Sequence, residues 1–355
     1  MTTRIRLVAC MAAAGLGVAA CQSQPAQHAS TTSNGAGATV IVGAGSTFDN
    51  PFFSSAFYAY NRQHPGVTVN YQSIGSGGGI EQFTKKTVDF GATDVPMNAK
   101  ELSAVEGGAQ SVVQLPVTLG GVAIAYNLPG APKHLRLSPN VLADIFLGKA
   151  TRWNDPEIAA LNPGAGLPNL PIVVVHRADG SGTTYIFTDY LSTVSAEWKA
   201  KVGKSKTVSW PAASSVGMKG NEGVAGQIKN TPGAVGYVEL AYALETGMSF
   251  GSIRNKAGDW VLPSIASVRS AAAEKPNVTA TDFSIVDEPG NASYPIAGYS
   301  WVLLYRNVDA SKRTALCPLF SWLLSEGQRY ASAVDYVGLP ANVESAALEK
   351  LGSCP

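Results

Sequence analysis

Charge is scarce in this chain. Of 355 residues only 14% are charged, 26 basic against 25 acidic, and no basic tract interrupts the neutral body. The electrostatic footprint of a nucleic-acid binder is therefore missing. Histidine and cysteine number four each. His28, His64, His134 and His176 show no metal-ligand spacing and no cysteine stands near them with one, so no metal centre is expected. The glycine fingerprints of nucleotide sites are incomplete: Phe48 and Ile80 replace the third glycine after Gly43-Ala-Gly45 and Gly75-Ser-Gly77, and Trp198 replaces the leading glycine of a P-loop ending in Gly203-Lys-Ser205. Ser181 and Ser76 lack the glycine that opens a nucleophile elbow, since Asp179 and Ile74 fill that place. No cofactor is expected, and enzyme chemistry finds little support.

Long apolar runs are also few. Arg4 and Arg6 precede an apolar stretch, Leu7 to Ala20, too short for a comfortable membrane span and typical of a secretory leader. It ends in Val18-Ala-Ala-Cys21, which resembles a bacterial lipobox, so residues 1–20 are expected to leave and Cys21 to become an acylated N-terminus. Acyl chains contribute about 0.8 kcal/mol per buried methylene, enough for several chains to hold the protein on the membrane. Residues 21–38, rich in Gln, Ser, Thr, Ala and Gly, read as a flexible tether reaching about 20–25 Å. Cys10 leaves with the leader, and in an exported protein the remaining pair, Cys317 and Cys354, reads as a disulfide.

From Thr39 onward, strand-like and helix-like stretches alternate. Strands are expected at 39–42, 67–72 and 88–92 and helices at 50–64 and 79–87, the pattern of an α/β sheet. Val112 to Tyr126 is strongly apolar but carries Pro116, Gly120 and Gly121, so it reads as core strand. A matching run, Tyr294 to Tyr305, comes late in the chain. Two such crossings predict a discontinuous first lobe, 39–117 and 296–355, around a second lobe, 118–295. The length suggests roughly two domains. The stretch 257–292 shows no clear period.

Three loops stand out. Arg177-Ala-Asp179-Gly-Ser181-Gly182-Thr183-Thr joins a guanidinium, a carboxylate, hydroxyls and glycines ahead of an apolar-periodic segment. Gly43-Ala-Gly-Ser46-Thr47-Phe48 and Gly75-Ser76-Gly-Gly-Gly79 likewise follow strand-like runs and precede helix-like ones. Helix N-termini with free N–H donors are anion seats, and loops at strand carboxyl ends are where α/β sheets bind ligands. Arg177 offers a planar fork suited to a tetrahedral anion, and Asp179 can orient it. Asp94, ending Val88-Asp-Phe-Gly-Ala-Thr-Asp94-Val-Pro, reads locally as a turn cap. Beside an anion it repels, unless the anion carries a proton that the carboxylate can accept.

These motifs, with Asn-Tyr-Gln-Ser-Ile-Gly-Ser-Gly-Gly-Gly, Ile145-Phe-Leu-Gly-Lys-Ala-Thr-Arg-Trp-Asn-Asp and Pro232-Gly-Ala-Val-Gly-Tyr-Val-Glu, run through almost the whole body. The chain resembles the substrate-binding component of the bacterial high-affinity phosphate ABC transporter. The resemblance implies a two-lobed, periplasmic-binding-protein-like α/β fold of type II, with mixed sheets flanked by helices and two hinge crossings. It implies phosphate ligands at Thr47, Phe48 through its backbone, Ser76, Asp94, Arg177, Ser181, Gly182 and Thr183, with Asp179 and Ser46 in support. It further implies a monomer on the extracytoplasmic face of the cell membrane that serves a permease and its ATPase. Two departures are visible: family members often have Ala at Ser46 and Ser at Gly77. Competing expectations are a binder of sulfate or molybdate, against which Asp94 argues, a secreted phosphatase using Ser181 or Thr47, and an adhesive lipoprotein.

Overall fold

The computed structural model describes residues 39–352. The leader, the tether with Cys21, and Cys354 lie outside the described residues.

The chain begins with the expected alternation: β1 (Thr39–Gly45), α1 (Asn50–Gln63), β2 (Val67–Ser73), α2 (Ser76–Thr84), β3 (Phe90–Thr93) and α3 (Ala99–Ala104). Helix α1 opens on a proline, tolerated where the first-turn N–H has no partner anyway. It buries Phe52, Phe53, Ala56, Phe57 and Tyr60 on one face, each large side chain contributing about 1.5–3 kcal/mol relative to exposure. Helix α2 departs from expectation. It starts at Ser76, so the glycine triplet forms its first turns rather than a loop. A Cβ on Gly79 would lie 2.4 Å from Gly45 Cα and 2.7 Å from Ala44 O. The triplet lets α2 lie directly on β1, and that contact outweighs a helix penalty of about 1 kcal/mol per glycine.

Strand β4 (Val112–Tyr126) follows, buried along its whole length. After it come β5 (Arg136–Leu137), α4 (Pro139–Phe146), α5 (Pro156–Leu161), β6 (Val173–Arg177), α6 (Gly182–Val194), α7 (Ala196–Lys201), β7 (Ser215–Met218) and α8 (Gly220–Asn230). The chain continues through β8 (Ala234–Glu239), α9 (Leu240–Glu245), β9 (Ser249–Phe250), β10 (Ser252–Arg254), β11 (Trp260–Val261) and α10 (Ile265–Glu274). It ends with β12 (Ala297–Tyr305), α11 (Ala310–Leu324) and α12 (Ala341–Gly352). The stretch without clear period contains β11 and α10 and is otherwise irregular.

The main sheet is mixed and runs β2-β1-β3-β12-β4-β8-β6-β7, with β9 also on β4; β11, β10 and β5 form a small second sheet. Strand β4 pairs antiparallel with β12 from Val112 to Gly121, then with β8 from Val122 to Tyr126. It thus joins a half-sheet of β1, β2, β3 and β12 to one of β8, β6 and β7. Pro116 has no N–H for the ladder. The register between β4 and β12 shifts at this level, between Ser300 and Trp301, as expected of a bulge, which re-aims nearby side chains.

Candidate functional site

Parallel strands β1, β2, β6 and β7 each lead from their carboxyl ends into a helix, α1, α2, α6 and α8 respectively. The loops that precede these helices meet. The three predicted seats are among them, and the fourth, Lys219-Gly-Asn221, escaped the sequence reading. Ser46, Thr47, Phe48, Ser76, Asp94, Arg177, Ser181 and Thr183 are all at most 5% exposed, and Gly182 is buried with them. Asp179 is half-buried.

One connected network holds these residues. Arg177 Nε donates to Asp179 Oδ1 at 2.8 Å and its NH2 to Asp179 Oδ2 at 2.5 Å, a bidentate pair. Gly220 N–H donates to the same carboxylate at 3.1 Å. Burial pushes the Asp179 carboxyl up, but the bonds and charge of Arg177 outweigh it and hold the group below its ordinary range. The Arg177 NH1 reaches Thr183 Oγ1 at 3.4 Å, and its backbone N–H donates to Tyr237 OH. Ser76 Oγ accepts from Gly182 N at 3.1 Å and Asp94 N at 3.2 Å, and lies 3.3 Å from Asp94 Oδ2. Asn221 ties Thr47 Oγ1 to Thr183 Oγ1 through its Nδ2, at 2.8 and 3.1 Å. Gly182 permits the closest approach: a Cβ there would sit 2.5 Å from Asp94 Cβ and 2.7 Å from Ser76 Oγ.

The hydroxyls are set as donors. Thr47 Oγ1 accepts from both the backbone N–H and the Nδ2 of Asn221. Thr183 Oγ1 accepts from Asn221 and Arg177. With two lone pairs engaged, each threonine keeps one O–H to give. Ser181 caps α6 by accepting from Thr184 N–H at 3.0 Å, and its own proton is likewise not used in that bond. Phe48 N–H, by contrast, donates to Ser46 Oγ at 2.9 Å. Arg177 and four helix N-termini add positive potential. Among these donors stands one acceptor, Asp94. Burial raises its carboxyl to about 6, against hydrogen bonds from Ser46 at 2.5 Å and Ser300 at 2.9 Å and the charge of Arg177. Such an arrangement suits a small tetrahedral anion that still carries a proton.

A family model described as "PBP superfamily domain" matches residues 26–326. The "Phosphate-binding protein PstS" of Xylella fastidiosa (strain 9a5c) is 45% identical over 307 residues, covering 85% of this chain and 82% of that one. The protein of the same description from Pasteurella multocida is 44% identical over 310 residues, 86% of this chain and 88% of its own. The chain belongs to the PstS family of phosphate-binding proteins. Solved structures agree on the fold. A putative phosphate ABC transporter substrate-binding protein from Clostridium perfringens, with bound phosphate, superposes with a TM-score of 0.63 at 19% identity, over 85% of this chain and all of that one. A phosphate-binding protein from Stenotrophomonas maltophilia gives 0.68 at 19% identity, over 88% and 94%.

In this PstS-family chain the structure gathers the residues singled out for the anion seat: Ser46, Phe48, Ser76, Asp94 and Gly182 bond among themselves, as do Arg177, Asp179 and Thr183, while Thr47 joins through Asn221 and Ser181 caps α6. Ser46 Oγ donates to Asp94 Oδ1 directly. Sequence reading missed Asn221, Tyr237, Tyr242, Asp49, Tyr71 and Ser300. Asn221 carried a usable signal, because Met218-Lys-Gly-Asn repeats the strand, glycine and helix order of the other seats. The rest carried none, since their partners lie far along the chain: Tyr242 OH donates to Thr47 O at 2.6 Å, and Ser300 Oγ contacts Asp94 206 positions away. His176 stacks on Trp210, 5.0 Å between ring centres, and burial lowers its pKa. It serves packing. Among the described residues no helix is long and apolar enough to cross a membrane, and no cluster of His, Cys, Asp or Glu is disposed to hold a metal ion.

Proposed function

We propose that the protein binds inorganic phosphate outside the membrane and hands it to the permease and ATPase of an ABC importer. The observation that carries this reading is a single buried acceptor, Asp94, inside a ring of donors centred on Arg177. Phosphate oxygens take bonds from the hydroxyls of Thr47, Ser76, Ser181 and Thr183, from the Arg177 guanidinium, and from the N–H groups of Phe48 and Gly182, which exchange their bonds to Ser46 Oγ and Ser76 Oγ for the anion. Asp94 accepts from the P–OH, while Asp179 and Ser46 hold Arg177 and Asp94 in place. Sulfate carries no proton near neutrality and would meet the Asp94 carboxylate unpaired. Sites that strand a buried polar group against an analogue discriminate by about 10⁴–10⁵. The PstS names of the relatives at 44–45% identity support the ligand.

The wider reading follows from the same frame. Lobes of residues 39–117 with 296–355, and 118–295, close on the anion by bending where β4 and β12 cross between them. Cys21 anchors a monomer to the extracytoplasmic membrane face through residues 21–38, after removal of 1–20. A disulfide joins Cys317 to Cys354, supported by the packing of α11 against α12, two residues short of Cys354. Catalysis is not part of the reading. Calorimetric titration of the mature body should show tight phosphate binding, competition by arsenate, which is protonated like phosphate, and no heat from sulfate near neutral pH. Equal affinity for sulfate would reject this function, and phosphate release from a generic ester would favour an enzyme.

A further inference from the structure

Beside Asp94 lies a second carboxyl that the anion does not touch in this account. Asp49, the residue before α1, is fully buried. Ser300 Oγ stands between the two carboxyls, 2.7 Å from Asp49 Oδ2 and 2.9 Å from Asp94 Oδ1, with Thr93 O at 3.5 Å. A serine hydroxyl has one proton. It serves one carboxyl, and the other contact then needs a proton from the carboxyl itself. The second neighbour of Asp49 does not supply it. Tyr71 OH lies 2.7 Å from Ser46 O, a carbonyl that can only accept, and 3.2 Å from Asp49 Oδ1. The phenol proton goes to the nearer carbonyl. The Ser46 hydroxyl is committed to Asp94 at 2.5 Å. With both carboxyls ionised, the Ser300 bridge is one proton short.

The surroundings decide which carboxyl holds the extra proton. Arg177 acts on Asp94 and favours its charge. The groups facing Asp49 are Asp94 at the end of β3, Tyr71 on β2, Tyr242 on α9 and Tyr336 ahead of α12. All are neutral or anionic. We propose that Asp49 is a positioning residue that carries a proton, donates it to Ser300, and through Ser300 fixes Asp94 as the hydrogen-bond acceptor that selects a protonated oxyanion. Burial and the neighbouring Asp94 charge, which push Asp49 well above the usual carboxyl range, agree with the geometry. The selectivity half of this inference rests on the phosphate reading; the location of the proton does not.

Asparagine imitates a protonated aspartate, because its NH₂ can donate to Ser300. Infrared spectra of wild type and Asp49→Asn near neutral pH are the direct test. The substitution should remove a protonated-carboxyl C=O stretch that shifts in D₂O. In competition titrations Asp49→Asn should keep the preference for phosphate over sulfate, whereas Asp49→Ala and Ser300→Ala should each lose about 10-fold or more, the effect of one hydrogen bond to a charged group. Loss of an ionised-carboxylate band in Asp49→Asn, or an equal loss of preference in Asp49→Asn and Asp49→Ala, would overturn the inference, as would an unchanged preference in Ser300→Ala. The spectra need no ligand. Wild type that shows the protonated band yet ignores phosphate would therefore reject the functional reading while leaving the proton on Asp49.

Discussion

At the scale of single residues, the site separates charge from hydrogen bonding. Asp179 offsets the charge of Arg177 and fixes its fork, so the grip comes from oriented donors more than from net charge. Acidification tests the role of Asp94. Its carboxyl titrates at about 6 instead of the ordinary 3.8, so at about pH 5 it is mostly protonated and becomes a donor. The preference for phosphate over sulfate should therefore fall as pH drops through about 6, read by competition titration; a preference constant across that range would contradict the assignment. Gly182→Ala tests the close approach. Its methyl would fall 2.5 Å from Asp94 Cβ and Oδ2, and overpacking a tight contact costs about 1–3 kcal/mol, so phosphate affinity should drop by about 10- to 100-fold in calorimetric titration, and an unchanged affinity would show that the contact is not needed for binding.

Elements explain what the sequence shows and what it hides. β1, α1, β2 and β3 are legible because period-2 and aromatic helical spacings are local signals. The start of α2 is not, because only the contact of Gly79 with β1 reveals why a glycine triplet should be helical. Likewise Pro116 warns of an irregular strand, but that its bulge lies next to Ser300, beside the Asp49 and Asp94 pair, depends on its pairing with Trp301 far along the chain. The end of β8 gives a prediction of its own. Glu239 is fully buried there; its Oε2 accepts from Ala241 N at 2.7 Å and contacts Tyr336 OH at 2.8 Å, while Oε1 has no partner. Burial raises its carboxyl well above the ordinary value, against those bonds. Its stabilising contribution is complete below the ordinary value of 4.5 and is lost as pH rises toward the folded one, because the unfolded chain releases the proton first. Glu239→Gln does not titrate. Denaturant midpoints at about pH 5 and about pH 9 should move in favour of the variant as pH rises, and a constant gap would show that Glu239 titrates normally.

At the scale of the whole molecule, one hydrophobic core runs through both half-sheets, and around the site the bonds between them are polar. Gly77 N–H donates to Gly180 O at 2.7 Å, Tyr242 reaches Thr47, and Lys206 pairs with Glu101 of α3 at 2.5 Å near the surface. Such contacts can exchange with water, which suits the proposed opening of the cleft, and an anion held from both sides would stabilise the closed form. Lys206→Ala should speed phosphate release by no more than about fivefold, and less at high salt, since partly exposed ion pairs contribute about 1 kcal/mol or less. Stopped-flow release at two ionic strengths would measure this, and a far larger, salt-independent effect would place Lys206 in the site itself. Small-angle scattering should report compaction on phosphate addition, and unchanged profiles would count against closure.

Selectivity depends most on the acceptor at position 94. Calorimetric competition between phosphate and sulfate, run near neutral pH on wild type and Asp94→Asn, measures it directly. The amide cannot accept the P–OH proton through its NH₂ and no longer repels sulfate, so the preference should collapse by about 10²-fold or more. A variant that still chose phosphate as strongly as wild type would show that selectivity comes from somewhere else.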